Sequence, residues 1–170
     1  KEVDIKFSWQ NFDAMNKDLI DAKSKRLFFV SEPKEFIFKS EKTIMKEAPW
    51  HPDNKELGNR VESIESGSKI YLSSNDLSKI KGVSEIRLKN LCNVKINGNK
   101  LEFSGFEHKK GIPIFQWCSE SKEIELYYPD GKISRGLVED NLENLDGTVV
   151  QFERIGFVRL EGDKAFFLHR

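Results

Sequence analysis

Gln151 and Arg154 set an amide and a guanidinium three residues apart, a pairing suited to reading the edge of an exposed nucleobase. They lie in Val149 to Leu160, Val-Val-Gln-Phe-Glu-Arg-Ile-Gly-Phe-Val-Arg-Leu. Its outer parts alternate as a half-buried strand does, with Val150 and Phe152 on one face and Gln151 and Glu153 on the other. The Ile155-Gly156 pair permits a bulge or tight bend, because glycine tolerates backbone angles closed to other residues. Arg154 would sit at that kink and be re-aimed out of the sheet plane. The alternative is an ordinary strand whose Arg154 pairs with Glu153 or a neighbour.

Other chemistries find no residue pattern here. The three histidines, His51, His108 and His169, are not spaced with cysteine or acid as a metal site requires. There is no phosphate-cradling Gly-x-x-x-x-Gly-Lys-Ser/Thr run; Gly105 to Gly111 ends in Ile-Pro. No Gly-x-Ser-x-Gly elbow occurs, so Ser119 and Ser121 read as a polar turn. Glu139-Asp140 is one acid pair among 28 carboxylates and carries little information. The two cysteines, Cys92 and Cys118, are too few for a disulfide framework and lie in apolar runs, where small buried thiols are expected.

Lysine plus arginine equals aspartate plus glutamate, 28 against 28 in 170 residues. A sequence-blind nucleic-acid binder would be basic overall. Any RNA binding must therefore rest on a local patch and base-specific contacts. No apolar run reaches the length of a membrane span and the N-terminus is charged, so a cytoplasmic protein is expected. The chain opens at Lys1 in mid-pattern, which reads as a piece of something longer.

The elements that would position these residues are mostly strands. One helix is expected over residues 8 to 24, capped by Ser8, with Trp9, Phe12, Met15, Leu19 and Ile20 on a packing face. From Arg26 onward short strands follow: 27–30, 36–38, 69–72, 85–89, 93–96, 101–103, 112–117, 124–128, 149–152, 157–160 and 165–168. Asn97-Gly98, Pro129-Asp130-Gly131, Asp146-Gly147 and Gly162-Asp163 supply turns. Residues 73–81 read as a loop carrying a helical turn. Strands at this spacing argue for a sandwich or barrel, with no sign of parallel crossover units or of an internal sequence repeat.

Four blocks together resemble the C-terminal anticodon-binding region of class I glutamyl- and glutaminyl-tRNA synthetases. They are Gln151-Phe-Glu-Arg154-Ile-Gly-Phe157, the Pro49-Trp-His-Pro-Asp53…Gly58-Asn-Arg60 stretch, Ile86-Arg-Leu-Lys-Asn90, and Lys110-Gly-Ile-Pro-Ile-Phe-Gln-Trp117. Their order matches the family's and spans most of residues 26–160. The resemblance implies an all-β fold of two small β-barrels behind a short N-terminal helical segment. It divides the chain into a helical lead-in (1–25), a first barrel (26–110) and a second (111–170), with the last strands as candidates to return to the first.

The same resemblance implies a tRNA anticodon stem-loop as partner, that of glutamate tRNA. Arg26, Gln151 and Arg154 fall where the family approaches the central uridine. That base offers two carbonyl acceptors around one N–H, which an amide and guanidinium forks can satisfy. Arg26 has an alternative role as a cation capping the end of the helix. Arg87 and Lys89 match basic positions that contact a flanking nucleotide, and Asn90 is placed to brace their loop. A lysine at 89 is a point charge better suited to phosphate than to bidentate base reading.

His51 reads as a brace in a proline-stiffened loop. Asp53 stands where the glutamine enzymes tend to have asparagine, which points to the archaeal-type glutamate branch. The family's ATP-binding motifs are absent, so the fragment is expected to be inert and without a cofactor, while the parent would use ATP and Mg2+. The alternatives are the same region of a glutaminyl or dual-specificity enzyme, and a non-catalytic β-barrel module that binds RNA or protein.

Overall fold

The computed structural model describes residues 16–140 and 145–170, and these are overwhelmingly strand. A helical segment over residues 16–21 (α1) leads into β1 (Arg26–Leu27), β2 (Phe29–Ser31) and β3 (Pro33–Lys39). A ribbon of β4 (Ile44–Pro49) and β5 (Asn59–Ile64) follows, then β6 (Lys69–Ser73) and the single-turn α2 (Ser74–Ser78). Next come β7 (Glu85–Leu88), β8 (Asn93–Asn97), β9 (Lys100–Gly105), β10 (Ile114–Phe115) and β11 (Trp117–Cys118). The chain ends with β12 (Ser121–Tyr127), β13 (Ile133–Glu139), β14 (Val149–Phe152), β15 (Gly156–Glu161) and β16 (Lys164–His169).

The strands form two rings. Barrel I runs β10-β7-β8-β9-β3-β6-β11, and barrel II runs β1-β14-β15-β16-β12-β13-β2. The two ends of each order are halves of one strand, interrupted at Gln116 in barrel I and at Phe28 in barrel II. Each interrupted strand therefore pairs on both sides and closes its sheet into a barrel, which removes the open edges that invite aggregation. Around each ring the same pairing sequence recurs. The closing strand is parallel to its first neighbour, two antiparallel pairs follow, then a parallel pair, then two more antiparallel pairs.

The barrels thus repeat one topology, although no internal repeat is visible as sequence. Parallel pairs are present as well, without the helical crossovers that usually announce them. The closing strands are exchanged: β1 and β2 precede the strands of barrel I but complete barrel II, whereas β10 and β11 precede barrel II but complete barrel I. A cut at residue 110 does not separate the two sheets, because β1–β2 and β10–β11 each complete the barrel formed by the strands on the other side of it.

Two cores result. Phe36, Phe38, Ile70, Leu72, Ile86, Leu88 and Leu101 fill barrel I, while Leu27, Phe29, Ile124, Leu126, Phe152 and Leu160 fill barrel II. Phe28, at the break in β1–β2, turns away from its own barrel and inserts into the core of the other. Gly136 lies in β13 where a Cβ would come within 2.7 Å of the Phe29 ring and the Val30 carbonyl. Only glycine lets β2 approach so closely.

Of the expected helix, Ser8, Trp9, Phe12 and Met15 lie outside the described residues. Leu19, expected on its packing face, is exposed. Strands β4, β5 and β13 were not expected. The first two form a two-stranded ribbon with few buried positions, so charge masks their alternation, and Gly136 interrupts the pattern of the third. Residues 73–81 carry α2, as anticipated. Both cysteines are free and buried, and burial raises the Cys92 thiol to about 12 and Cys118 well above the usual thiol range. Among the described residues no helix is long and apolar enough to cross a membrane.

Candidate nucleic-acid interface

Two sequence blocks, Ile86 to Asn90 and Val150 to Arg154, turn out to be one hairpin built twice. In barrel II, Phe152 pairs with Gly156 across the turn Glu153-Arg154-Ile155. In barrel I, Leu88 N–H donates to the Cys92 carbonyl (2.8 Å) across Lys89-Asn90-Leu91. The turns close alike, Ile155 N–H to Phe152 O at 3.0 Å and Leu91 N–H to Leu88 O at 3.1 Å. Their central residues share a left-handed backbone, with φ of 67° at Arg154 and 63° at Asn90. Asparagine adopts that region readily, whereas arginine seldom does.

The closing strands dock on these hairpins in the same way. Gln151 and Glu153 N–H groups donate to Lys25 and Leu27 carbonyls, as Arg87 and Lys89 donate to Pro113 and Phe115. Position by position, Arg87 answers to Gln151, Lys89 to Glu153, and Asn90 to Arg154. Arg154 is therefore at the tip of a turn, the tight bend expected at Ile155-Gly156, and not on an ordinary strand. Gly156 follows with φ of 146°, where a Cβ would meet the His169 carbonyl at 2.4 Å.

Arg26 and Gln151 are direct partners in the parallel β1–β14 register, so their side chains leave the same face. Arg26 Nη2 lies 3.4 Å from Asp21 Oδ1 at the end of α1, in keeping with a cation near a helix C-terminus. Its Nε is buried with no hydrogen-bond partner among the described residues. His51 is 2 % exposed and its Nδ1 accepts from the Asp53 and Asn54 N–H groups at 3.1 and 3.0 Å. Its Nε2 lies 3.5 Å from Asp21 Oδ1 and 3.4 Å from Arg26 Nη2. His51 is a brace, as its loop suggested. Asn54 links that loop to α1 by donating to the Ala22 carbonyl at 2.5 Å. The Gln151 side chain makes no hydrogen bond among the described residues and is half-buried.

The Arg154 guanidinium reaches across to barrel I. Nη1 donates to Asp76 Oδ2 in α2 and Nη2 to the Ile114 carbonyl, both at 3.0 Å. Beside it a crevice of about 270 Å³ opens between the barrels, lined by residues that include Ser73, Asn75, Lys79 and Gln116. Lys89 forms an ion pair with Glu153, so the first residues of the two equivalent turns bind each other. Gln116 Nε2 adds a bond to the Glu153 carbonyl at 3.3 Å.

Arg87 does not stand with Lys89 on an open strand face. It is 7 % exposed, and Nη1 donates to Asn93 Oδ1 (2.7 Å) and to the Phe106 carbonyl (3.1 Å). Asn93 in turn donates to the Glu107 carbonyl at 2.6 Å. The pair fixes the start of the loop after β9. Asn90 is half-buried in its turn, held by its backbone conformation.

Sequence reasoning missed Asp76, Gln116 and Glu153. Their partners lie 78, 37 and 64 residues away, beyond any local pattern. It also missed a buried charge cluster. Arg60 of β5 pairs with Glu62 (2.8 Å, misaligned for a hydrogen bond) and with Glu139 of β13. The guanidinium lies 4.7 Å from the Trp50 ring centre and 5.3 Å from that of Phe28. Burial outweighs Arg60 and raises Glu62 to about 7; burial also raises Glu139. Among the described residues no group of three or more His, Cys, Asp or Glu side chains is arranged to hold a metal.

Residues 24–108 and 114–161 each match a family described as tRNA synthetases class I (E and Q), anti-codon binding domain. The chain is 38 % identical over 186 residues to a glutamate–tRNA ligase of Pyrococcus furiosus, covering 100 % of this chain and 32 % of that protein. It is 34 % identical over 172 residues to the ligase of Thermoplasma volcanium, covering 99 % of this chain and 31 % of that protein. With the Methanocaldococcus jannaschii ligase the figures are 34 % over 170 residues, 95 % and 30 %. The chain spans about a third of the length of these curated relatives. With both matches falling on the barrels that carry the twin turns, the chain belongs to the anticodon-binding domain family of the class I glutamate and glutamine tRNA synthetases.

Proposed function

We propose that this chain is the anticodon-binding part of a glutamate–tRNA ligase acting in the cytoplasm, and that it holds the anticodon loop of glutamate tRNA at the junction of its two barrels. The parent enzyme would activate glutamate with ATP and Mg2+ elsewhere. The donor groups of the described residues do not fit a metal site, and no step of that chemistry is assigned to this chain.

The observation that carries the reading is the convergence of Arg26 and Gln151, 125 residues apart in sequence, as register partners beside the Arg154 turn. The Arg154 guanidinium and the Gln116 amide line the crevice between the barrels, with Arg26 and Gln151 on the paired strands β1 and β14. An unstacked uridine would find there donors for both carbonyls and an acceptor for its N–H. Lys89 and Asn90, in the equivalent turn, serve the flanking nucleotide, Lys89 through its charge. Arg87 supports that contact from behind by fixing the neighbouring loop. The division into a helical lead-in and two barrel units fits this use, since each unit supplies one of the two turns.

The test is binding of this chain to glutamate tRNA and to the same tRNA with its central anticodon base changed. Arg154→Ala should weaken the cognate complex roughly 5- to 150-fold, the range set by about 1–3 kcal/mol for a base-edge contact. The variant tRNA should lose little further affinity. Equal losses on both RNAs would reduce Arg154 to a backbone contact.

A further inference from the structure

Arg154 is offered by one barrel and held by the other. It stands at the tip of the β14–β15 turn in barrel II, half-exposed, and a long side chain on a turn tip would ordinarily sample many rotamers. Here both ends of its fork are occupied, Nη1 by Asp76 Oδ2 and Nη2 by the Ile114 carbonyl, each at 3.0 Å. Both acceptors belong to barrel I. Two acceptors at opposite ends of a planar guanidinium fix its plane as well as its position. Arginine carries five N–H donors, so three remain for a ligand in the adjoining crevice. Asp76 is itself held on α2, its other oxygen 3.4 Å from Lys79 Nζ.

We infer that Asp76 is a positioning residue for base reading: its carboxylate on barrel I sets the Arg154 guanidinium of barrel II in the orientation that meets the base. The inference rests on the reading of Arg154 as a base contact and adds its physical control. An arginine already ordered loses less side-chain entropy on binding, and that gain favours only the base with which its fixed geometry agrees. The opposite role, a carboxylate that competes with RNA for Arg154, makes contrary predictions.

The experiment uses the 170-residue chain and two RNAs, glutamate tRNA and the same tRNA altered at the central anticodon base. The readout is the ratio of the two Kd values for the unmodified chain, Asp76→Ala, Asp76→Glu, Arg154→Ala and the Asp76→Ala/Arg154→Ala double variant. Asp76→Ala should shrink the ratio on the order of 10-fold with the thermal midpoint held within a few degrees. Asp76→Glu should recover part of it, and Asp76→Ala should add nothing once Arg154 is gone.

An unchanged ratio in Asp76→Ala, with Arg154→Ala still losing discrimination, would overturn the inference and leave the Arg154 reading standing. Tighter binding of both RNAs by Asp76→Ala would identify a competitor and overturn it as well. A further loss in the double variant would show that Asp76 acts independently of Arg154. Discrimination retained in Arg154→Ala would remove the reading and the inference together.

Discussion

Arg154 and Arg87 show how one residue type serves two ends in equivalent hairpins. Arg154 accepts a left-handed backbone and half-exposure, a costly place for a side chain with no structural duty in its own barrel. Arg154→Gly should therefore keep the fold within about 1 kcal/mol of the parent in urea unfolding, since relief of the backbone offsets a partly exposed ion pair. Its discrimination at the central base should nevertheless disappear. A loss well beyond 1 kcal/mol would mark Arg154 as a structural residue. Arg87 should behave oppositely. Replacing it with methionine leaves Asn93 Oδ1 and the Phe106 carbonyl without a buried donor, and should cost about 2–4 kcal/mol in the same assay. Unchanged stability with weakened tRNA binding would instead return Arg87 to the direct contacts.

Among the elements, close strand approach and buried charge set the demands. Gly136→Ala forces a methyl to within 2.7 Å of the Phe29 ring and the Val30 carbonyl, and should lower stability by about 1–3 kcal/mol as β2 is pushed from β13. A neutral result would show that the closing strand has slack. The ribbon β4–β5 meets barrel II through Arg60, Glu62 and Glu139, and this contact should respond to pH. Glu62 holds its proton to about pH 7 when folded, against 4.5 ordinarily, so the folded chain binds more protons in that window. Its contribution is complete below about 4.5 and is lost as pH rises through 7, a decline on the order of 3 kcal/mol. Glu62→Gln should flatten the fall in unfolding free energy between pH 5 and pH 8; a fall of undiminished size would assign it to other groups. The charge cluster left no trace in the sequence because its members come from β5 and β13. The strands that bury alternating residues, such as β14, β12 and β3, were legible, and so were the Gly98, Gly131 and Gly162 turns. The ribbon was not, since burial on one side of a charged strand is decided by what packs against it. Arg26, Gln151 and Arg154 stood out only because their neighbours carried a family pattern; the register pairing of Arg26 with Gln151 required the exchanged closing strand, which no local signal records.

At the scale of the molecule, two barrels of one topology trade closing strands, so neither closes without the other's segment of chain. The equivalent turns meet through Lys89 and Glu153, and the crevice beside them is bounded by both barrels. With equal numbers of acidic and basic residues, the molecule has no general field to draw in RNA. Affinity for tRNA should fall gently with salt, with a log–log slope of roughly −2 to −3, as three or so phosphate contacts imply. A slope near −8 would contradict binding through so few phosphate contacts. The most direct measurement is zero-length photocrosslinking of glutamate tRNA carrying 4-thiouridine at the central anticodon position, with the adducts mapped by peptide mass spectrometry. The account predicts adducts in the peptides containing Arg26 and Gln151 to Arg154, at the junction of the barrels. Adducts confined to the outer strands of either barrel, with none at the junction, would contradict it.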